Sequence, residues 1–241
     1  MSSTSMSPST SSPATLPRTA QPCLLFDLDG TLIDGVPDLL AAINEVLQAH
    51  GLPGLQRPAL EAMLGDGMRV LVQRAFAAFG RELEPAAYEA ACAAYVAAYR
   101  ATDYRHTRLY EGVAETLAEL QQQGWRIGLA SNKPTAPCEA ILERLGIRSC
   151  FSVVAGGDAT SVRKPDPQHL RFALQQMGQD PDQARAVMVG DHANDVNAAR
   201  GAGLKAVAVA FETDPGRAHS LGADAVVTHF PALPAVLATL V

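Results

Sequence analysis

The chain has 241 residues, 48% of them hydrophobic, and carries 19 Lys and Arg against 25 Asp and Glu, a formal charge of −6. That length and apolar content suit one large domain, or a core domain with a smaller companion, and exclude a fibrous or wholly disordered chain. The acidic balance argues against gripping a nucleic acid, and no apolar run approaches the roughly 18 to 20 residues that cross a bilayer, so neither nucleic acid nor membrane is an expected partner.

Residues 1–22 hold seven Ser, four Thr and four Pro with Arg18 as the only charge, a composition that cannot bury enough apolar surface to order itself. They are expected to form a disordered tail, and they lack the apolar segment of a secretory signal. The first apolar run, CLLF (23–26), reads as a strand and leads into FDLDGTLID (26–34). Asp27 and Asp29 are two apart, so an extended backbone sends both carboxylates to one face, and Gly30 lets the chain turn. Such a pair either caps a turn or is joined by a hard cation, Mg²⁺ above all. Residues 36–108 then carry helical periodicity almost throughout, including VPDLLAAINEVLQAH and YEAACAAYVAAYRA. A crossover between parallel strands needs only a dozen or more residues, so this stretch is expected to be an inserted helical subdomain.

After the insert, short apolar runs alternate with helical ones. RIGLA (126–130), SVVAG (152–156), AVMVG (186–190), AVAVA (206–210) and AVVTH (225–229) read as further strands. VAETLAELQQQG (113–124), CEAILERLG (138–146), PQHLRFALQQMG (167–178) and DVNAARGAG (195–203) read as helices. This alternation predicts a doubly wound parallel α/β sheet, in which ligands bind outside the carboxyl ends of the strands. Three more motifs are expected at those ends. Ser131 and Asn132 stand where a strand gives way to a helix, as phosphate donors or as helix caps. Lys164 is stiffened by Pro165 and Pro167, as a phosphate-neutralising ammonium or as an exposed loop lysine. Asp191 and Asp195 follow a strand-terminal Gly, as cation ligands or as acidic residues favourable to a helix start. Each motif alone is ambiguous, but four in order at four strand ends make a phosphoryl-transfer site with a carboxylate nucleophile, a second carboxylate, a cation site and one Lys.

These residues resemble the haloacid dehalogenase superfamily of aspartate-nucleophile phosphatases, through D-x-D-G-T at 27–31, Ser131, Lys164 and G-D-x-x-x-D at 190–195. Within it the wording is similar to phosphoglycolate phosphatases, notably VPDLL, GDGMRVLV and GGDATSVRKPDPQHL. The resemblance spans 23–241 and implies a Rossmann-like hydrolase core of 23–35 and 109–241 with a small α-helical cap at 36–108. It further implies Asp27 as nucleophile and Asp29 as general acid and then base. Mg²⁺ would lie on the Asp27 carboxylate, the Asp29 carbonyl and Asp191, with Ser131, Asn132 and Lys164 on the phosphate and Asp195 in support. The implied reaction is Mg²⁺-dependent hydrolysis of a small phosphorylated metabolite, 2-phosphoglycolate first. A sugar phosphate, a phosphorylated amino sugar or a phosphomutase reaction on the same core are the alternatives.

The superfamily's carbon–halogen hydrolases lack the second Asp, so Asp29 counts against that reaction. Two departures stand out: Gly35, where Ser or Thr is frequent, is expected to loosen the linker to the cap, and Ser131 stands where Thr is as common. In the insert, Gly65, Asp66, Gly67 and Arg69 are expected to meet the far end of the substrate, with Arg69 offered to a carboxylate or simply solvated. His106 and His192 could touch substrate, but a surface role is the first reading of each. The four cysteines, at 23, 92, 138 and 150, have neither zinc nor disulfide spacing, which suits packing residues of a reducing, cytoplasmic protein, as monomer or homodimer.

Overall fold

The structure, a computed structural model, describes residues 21–211 and 215–240. All but the last two residues of the expected tail therefore lie outside the described residues. In chain order the elements are β1 (Cys23–Phe26), β2 (Ile33–Asp34), α1 (Val36–Ala49), α2 (Arg57–Glu61), α3 (Met68–Ala77), α4 (Pro85–Ala101) and β3 (Arg108–Leu109). Then follow α5 (Val113–Gln122), β4 (Arg126–Ala130), α6 (Thr135–Arg144), β5 (Val153–Ala155), α7 (Pro167–Gln176) and β6 (Ala186–Gly190). The chain closes with α8 (Ala193–Ala202), β7 (Lys205–Val209), α9 (Pro215–Ser220), β8 (Ala225–Val227) and α10 (Leu233–Leu237).

Six strands form one parallel sheet in the order β5-β4-β1-β6-β7-β8. All six runs read as strands from the sequence are in it, and the sheet is the doubly wound one their alternation predicts. β1 sits in the interior because all four of its residues are apolar and fully buried. Leu24 and Phe26 pack with Leu117 and Leu120 of α5 and Ile141 of α6, while Cys23 and Leu25 pack with Leu170 and Leu174 of α7 and Val196 of α8. A strand covered on both faces reads as an unbroken apolar run, which is why periodicity of two is missing from it. The chain leaves β1 to build one half of the sheet, then returns to β6 on its other side. The carboxyl end of β1 is therefore a switch point where a crevice opens.

Helices α1 to α4 stand between β2 and β3, two short strands that pair antiparallel through Ile33 with Leu109 and Asp34 with Arg108. This ribbon carries no pattern that sequence periodicity could reveal, since each strand is two residues long. Just beyond it, the Asp38 carboxylate in α1 is fully buried and accepts from Thr107 N (2.7 Å), Thr107 Oγ1 (2.8 Å) and His106 N (3.0 Å). Outgoing and returning chains are thus tied together where they leave the sheet. Leu39, Ile43 and Leu47 of α1 present one face of a 3.6-residue period to the same apolar cluster that holds Tyr95 and Tyr99 of α4.

Gly35 stands at this exit. It is the residue preceding α1, whose first turn is held by Asp34 Oδ1 accepting from Val36 N (3.1 Å). A Cβ at position 35 would lie 2.6 Å from Asp29 Oδ1, so the missing side chain lets the backbone approach that carboxylate. The cysteines are free; Cys23, Cys92 and Cys138 are buried, and burial pushes the Cys23 thiol up to about 11.

Candidate active site

The carboxyl ends of β1, β4 and β6 and the loop before α7 converge on one cavity of about 460 Å³, roofed by residues of α1, α3 and α4. On its floor Asp27 ends β1, and Lys164 Nζ lies 3.0 Å from Asp27 Oδ1 and 2.6 Å from Asp195 Oδ1. Asp195 reaches this lysine because it sits in the first turn of α8, where its other oxygen accepts from His192 N (3.0 Å). Burial alone would depress the Lys164 ammonium, but Asp195 and Asp27 outweigh it and raise its pKa, so the lysine stays charged. Gly30, at φ +78°, turns the chain after Asp29, and the Asp191 carboxylate fills the space its side chain would take. Asp191 accepts from Thr31 Oγ1 (3.2 Å). Burial, then the neighbouring Asp195 and Asp27, hold its pKa well above the usual carboxylate range.

Asp29 turns its carboxylate away from this cluster onto a second buried lysine. Lys133 Nζ lies 2.9 Å from Asp29 Oδ1 and 2.7 Å from Oδ2, and donates to Tyr99 Oη of α4 (2.8 Å). Burial opposes the charge on Lys133, but Asp29 and Tyr99 overcome that and raise its pKa well above the ordinary value. The roof meets the floor again through the loop before α3. The Gly65 carbonyl accepts from Asn132 Nδ2 (2.8 Å) and Asn194 Nδ2 (3.1 Å), and Asp66 Oδ1 accepts from Asn194 Nδ2 (2.8 Å).

The donor set suits a divalent cation. Asp27, Asp191 and Asp195 offer oxygens within 4.8 Å of one another, and Asp27 Oδ1 takes no directed hydrogen bond from a described residue. Four carboxylates face two ammoniums, a formal excess of two negative charges that burial makes costly. Oxygen-only ligands of that charge match Mg²⁺. Asp195 joins the group in addition to the expected Asp27 and Asp191, and with the Asp29 carboxylate on Lys133, its carbonyl is what that residue keeps for the ion.

The structure therefore gathers Asp27, Asp29, Ser131, Asn132, Lys164, Asp191 and Asp195 in and around the crevice. It gives some of them other partners than expected. Both donors of Asn132 are taken by carbonyls, Gly65 O and Lys164 O, so its side chain braces the loop before α3. Ser131 Oγ accepts from Lys133 N (3.3 Å). Arg69 lines the cavity, but its guanidinium is held by Glu89 and lies over the Tyr88 ring, 4.8 Å from its centroid. His192 is half-buried and lines the cavity, and its Nδ1 accepts from Asn194 N (3.2 Å) at the start of α8. His106 is exposed as expected. Lys133 and Tyr99 went unread. The only available signal for Lys133 was its place two residues beyond Ser131, and nothing local marks Tyr99 among the tyrosines of α4.

A family model of haloacid dehalogenase-like hydrolases matches residues 24–209. The phosphoglycolate phosphatase of Mesorhizobium japonicum is 36% identical over 219 residues, covering 91% of this chain and 96% of that protein. That of Rhodospirillum rubrum is 38% identical over 214 residues, covering 87% and 88%. Among solved structures, a predicted phosphoglycolate phosphatase from Haemophilus somnus 129pt superposes with a TM-score of 0.82 at 28% identity, covering 92% of this chain and 99% of the other. The chain belongs to the haloacid dehalogenase-like hydrolase family. Within that family it is a phosphatase.

Proposed function

We propose that the protein is a cytoplasmic, Mg²⁺-dependent phosphomonoesterase that hydrolyses 2-phosphoglycolate to glycolate and phosphate through an aspartyl phosphate. The observation that carries this reading is Asp27 just beyond β1, its Oδ1 3.0 Å from the buried Lys164 ammonium and its carboxylate grouped with those of Asp191 and Asp195 as a cation site would need. The substrate assignment rests on similarity to relatives named phosphoglycolate phosphatase over about nine-tenths of the chain.

Lys164 offsets the repulsion between the Asp27 carboxylate and the phosphate dianion, and the Ser131 hydroxyl donates to a phosphate oxygen. Asp29 enters as a carboxylate on Lys133 and takes up a proton as substrate binds; Asp27 then attacks phosphorus in line while Asp29 gives that proton to the departing alkoxide oxygen, leaving glycolate and an acyl phosphate on Asp27. Asp29, now a carboxylate, takes a proton from water, the water oxygen attacks phosphorus, and the P–O bond to Asp27 breaks. Mg²⁺ held by the carboxylates of Asp27 and Asp191 and the carbonyl of Asp29 supplies, when bound, positive charge that offsets the phosphate. Asp195 fixes Lys164. Residues 36–108 act as a cap over the core of 23–35 and 109–241, closing the cavity above Asp29 and excluding bulk water.

Asp27→Asn is expected to lower kcat by at least about 10³-fold, with no trapped phosphoenzyme and an unchanged circular dichroism spectrum. Retained turnover in a clean preparation sinks the mechanism. Ranking phosphomonoesters by kcat/KM tests the substrate: 2-phosphoglycolate no better than ethyl phosphate would leave only the class.

A further inference from the structure

The cavity has several cationic side chains on its walls, and position separates them. Arg69 is bound to Glu89, and Arg100 and Arg163 are exposed at the rim. Lys133 is different: its side chain is only 7% exposed, and it is bonded to both oxygens of Asp29. In 2-phosphoglycolate the carboxylate is one methylene from the ester oxygen. If Asp29 protonates that oxygen, the group that receives the carboxylate must stand beside Asp29, and Lys133 is in contact with it. We propose that Lys133 is the specificity-determining residue, its ammonium receiving the substrate carboxylate in place of one of its two bonds to Asp29, with the Tyr99 phenol as a second donor. This rests on the reading of the site as a 2-phosphoglycolate phosphatase.

Three features support the arrangement. Tyr99 Oη accepts from Lys133 and so keeps its own proton to donate. Burial, aided by the neighbouring Asp29, pushes its pKa up, so the phenol stays protonated. The ring is fixed by stacking on Tyr95 at 6.0 Å and by an edge contact with Tyr104 at 5.1 Å. Ammonium and phenol are thus ordered before substrate arrives and need no rearrangement beyond the exchange at Asp29. Because Tyr99 belongs to α4 and Lys133 to the loop after β4, the carboxylate would be gripped from both roof and floor.

The test compares two phosphonates as competitive inhibitors of aryl phosphate hydrolysis, with Mg²⁺ present. 3-Phosphonopropionate is the non-hydrolysable isostere of 2-phosphoglycolate, and propylphosphonate lacks its carboxylate. Wild type is expected to bind the acid about 100-fold more tightly, Lys133→Met to reduce that ratio below about 3, and Tyr99→Phe to reduce it by about 3- to 10-fold. A ratio taken within one variant cancels any loss common to both ligands, and calorimetric titration reads it where a variant is too slow to assay. If Lys133 only positions Asp29, both phosphonates weaken alike, the ratio survives in Lys133→Met and the proposal is overturned. A wild-type ratio near 1 with 2-phosphoglycolate still the best substrate overturns the proposal and leaves the substrate reading standing. A wild type that does not prefer 2-phosphoglycolate to ethyl phosphate overturns both.

Discussion

The floor and the roof of the cavity are built by different physics. On the floor, Lys164, Asp195 and Lys133 are almost without solvent contact, and each charge is answered by another or by a backbone N–H. On the roof, the ion pairs are at the surface: the side chains of Arg69 and Glu89 are 42% and 62% exposed, and those of Arg74 and Asp66 42% and 30%. Buried pairs are rigid and intolerant of losing a partner, whereas exposed ones contribute little and exchange freely with water. The floor can therefore hold reacting groups in fixed geometry, whereas the charges of the roof stay in exchange with water. Asn132, Asn194 and the Lys133–Tyr99 bond are polar links between the two.

Removing a floor charge should do the most damage. Lys164→Met leaves Asp27 and Asp195 facing each other in a buried site without their shared cation. It is expected to cost about 3–5 kcal/mol of stability, read by denaturant melts, and to lower kcat by about 10³-fold. A variant that keeps wild-type stability would mean those carboxylates have other means of compensation. Asp191→Asn should separate metal from fold. Saturation at about 100 times Kd is expected to stabilise the wild type by about 2.7 kcal/mol, seen as a rise in Tm with added MgCl₂. Asp191→Asn should lose most of that rise. In EDTA it should melt above wild type, because it removes a buried carboxylate repelled by Asp195 and Asp27. An undiminished Mg²⁺ response would place the ion elsewhere.

That asymmetry also set what could be read from the sequence. The floor was legible because each of its motifs ends a buried apolar strand, and Asp27, Ser131 and Asp191 could be placed at strand ends before their contacts were known. Asp195 was legible as a helix start, though its hold on Lys164 spans 31 residues and follows from no local pattern. The contacts that join floor to roof follow from no local pattern either. Lys133 finds Asp29 across 104 residues and Tyr99 across 34, and only the folded α4 brings the three together. The two-residue strands β2 and β3 are too short for periodicity. The glycines of the loop at 65–67 mark it in the sequence, but its docking partners Asn194 and His192 lie more than 120 residues away.

Smaller effects are expected as one moves up from the floor. Asp38→Ala removes the carboxylate that accepts three hydrogen bonds from His106 and Thr107 where the helical segment leaves and rejoins the sheet. Its loss strands buried donors and should cost about 2–3 kcal/mol, with the loosened roof raising KM more than it lowers kcat. If instead kcat alone falls, the tie serves the floor and the contrast between the two regions weakens.

Arg69→Ala is expected to do least, although Arg69 is the roof residue whose charge invites the assignment of a substrate carboxylate. Its guanidinium is bidentate on Glu89 and packed over Tyr88, so a substrate would have to displace a carboxylate already in place to gain one of its own. Exposed pairs of this sort contribute little, and kcat/KM for 2-phosphoglycolate should change by less than about threefold. A loss beyond about 30-fold would show that Arg69 leaves Glu89 when substrate binds, and recognition would then belong to the roof's surface rather than to the buried lysine beneath it.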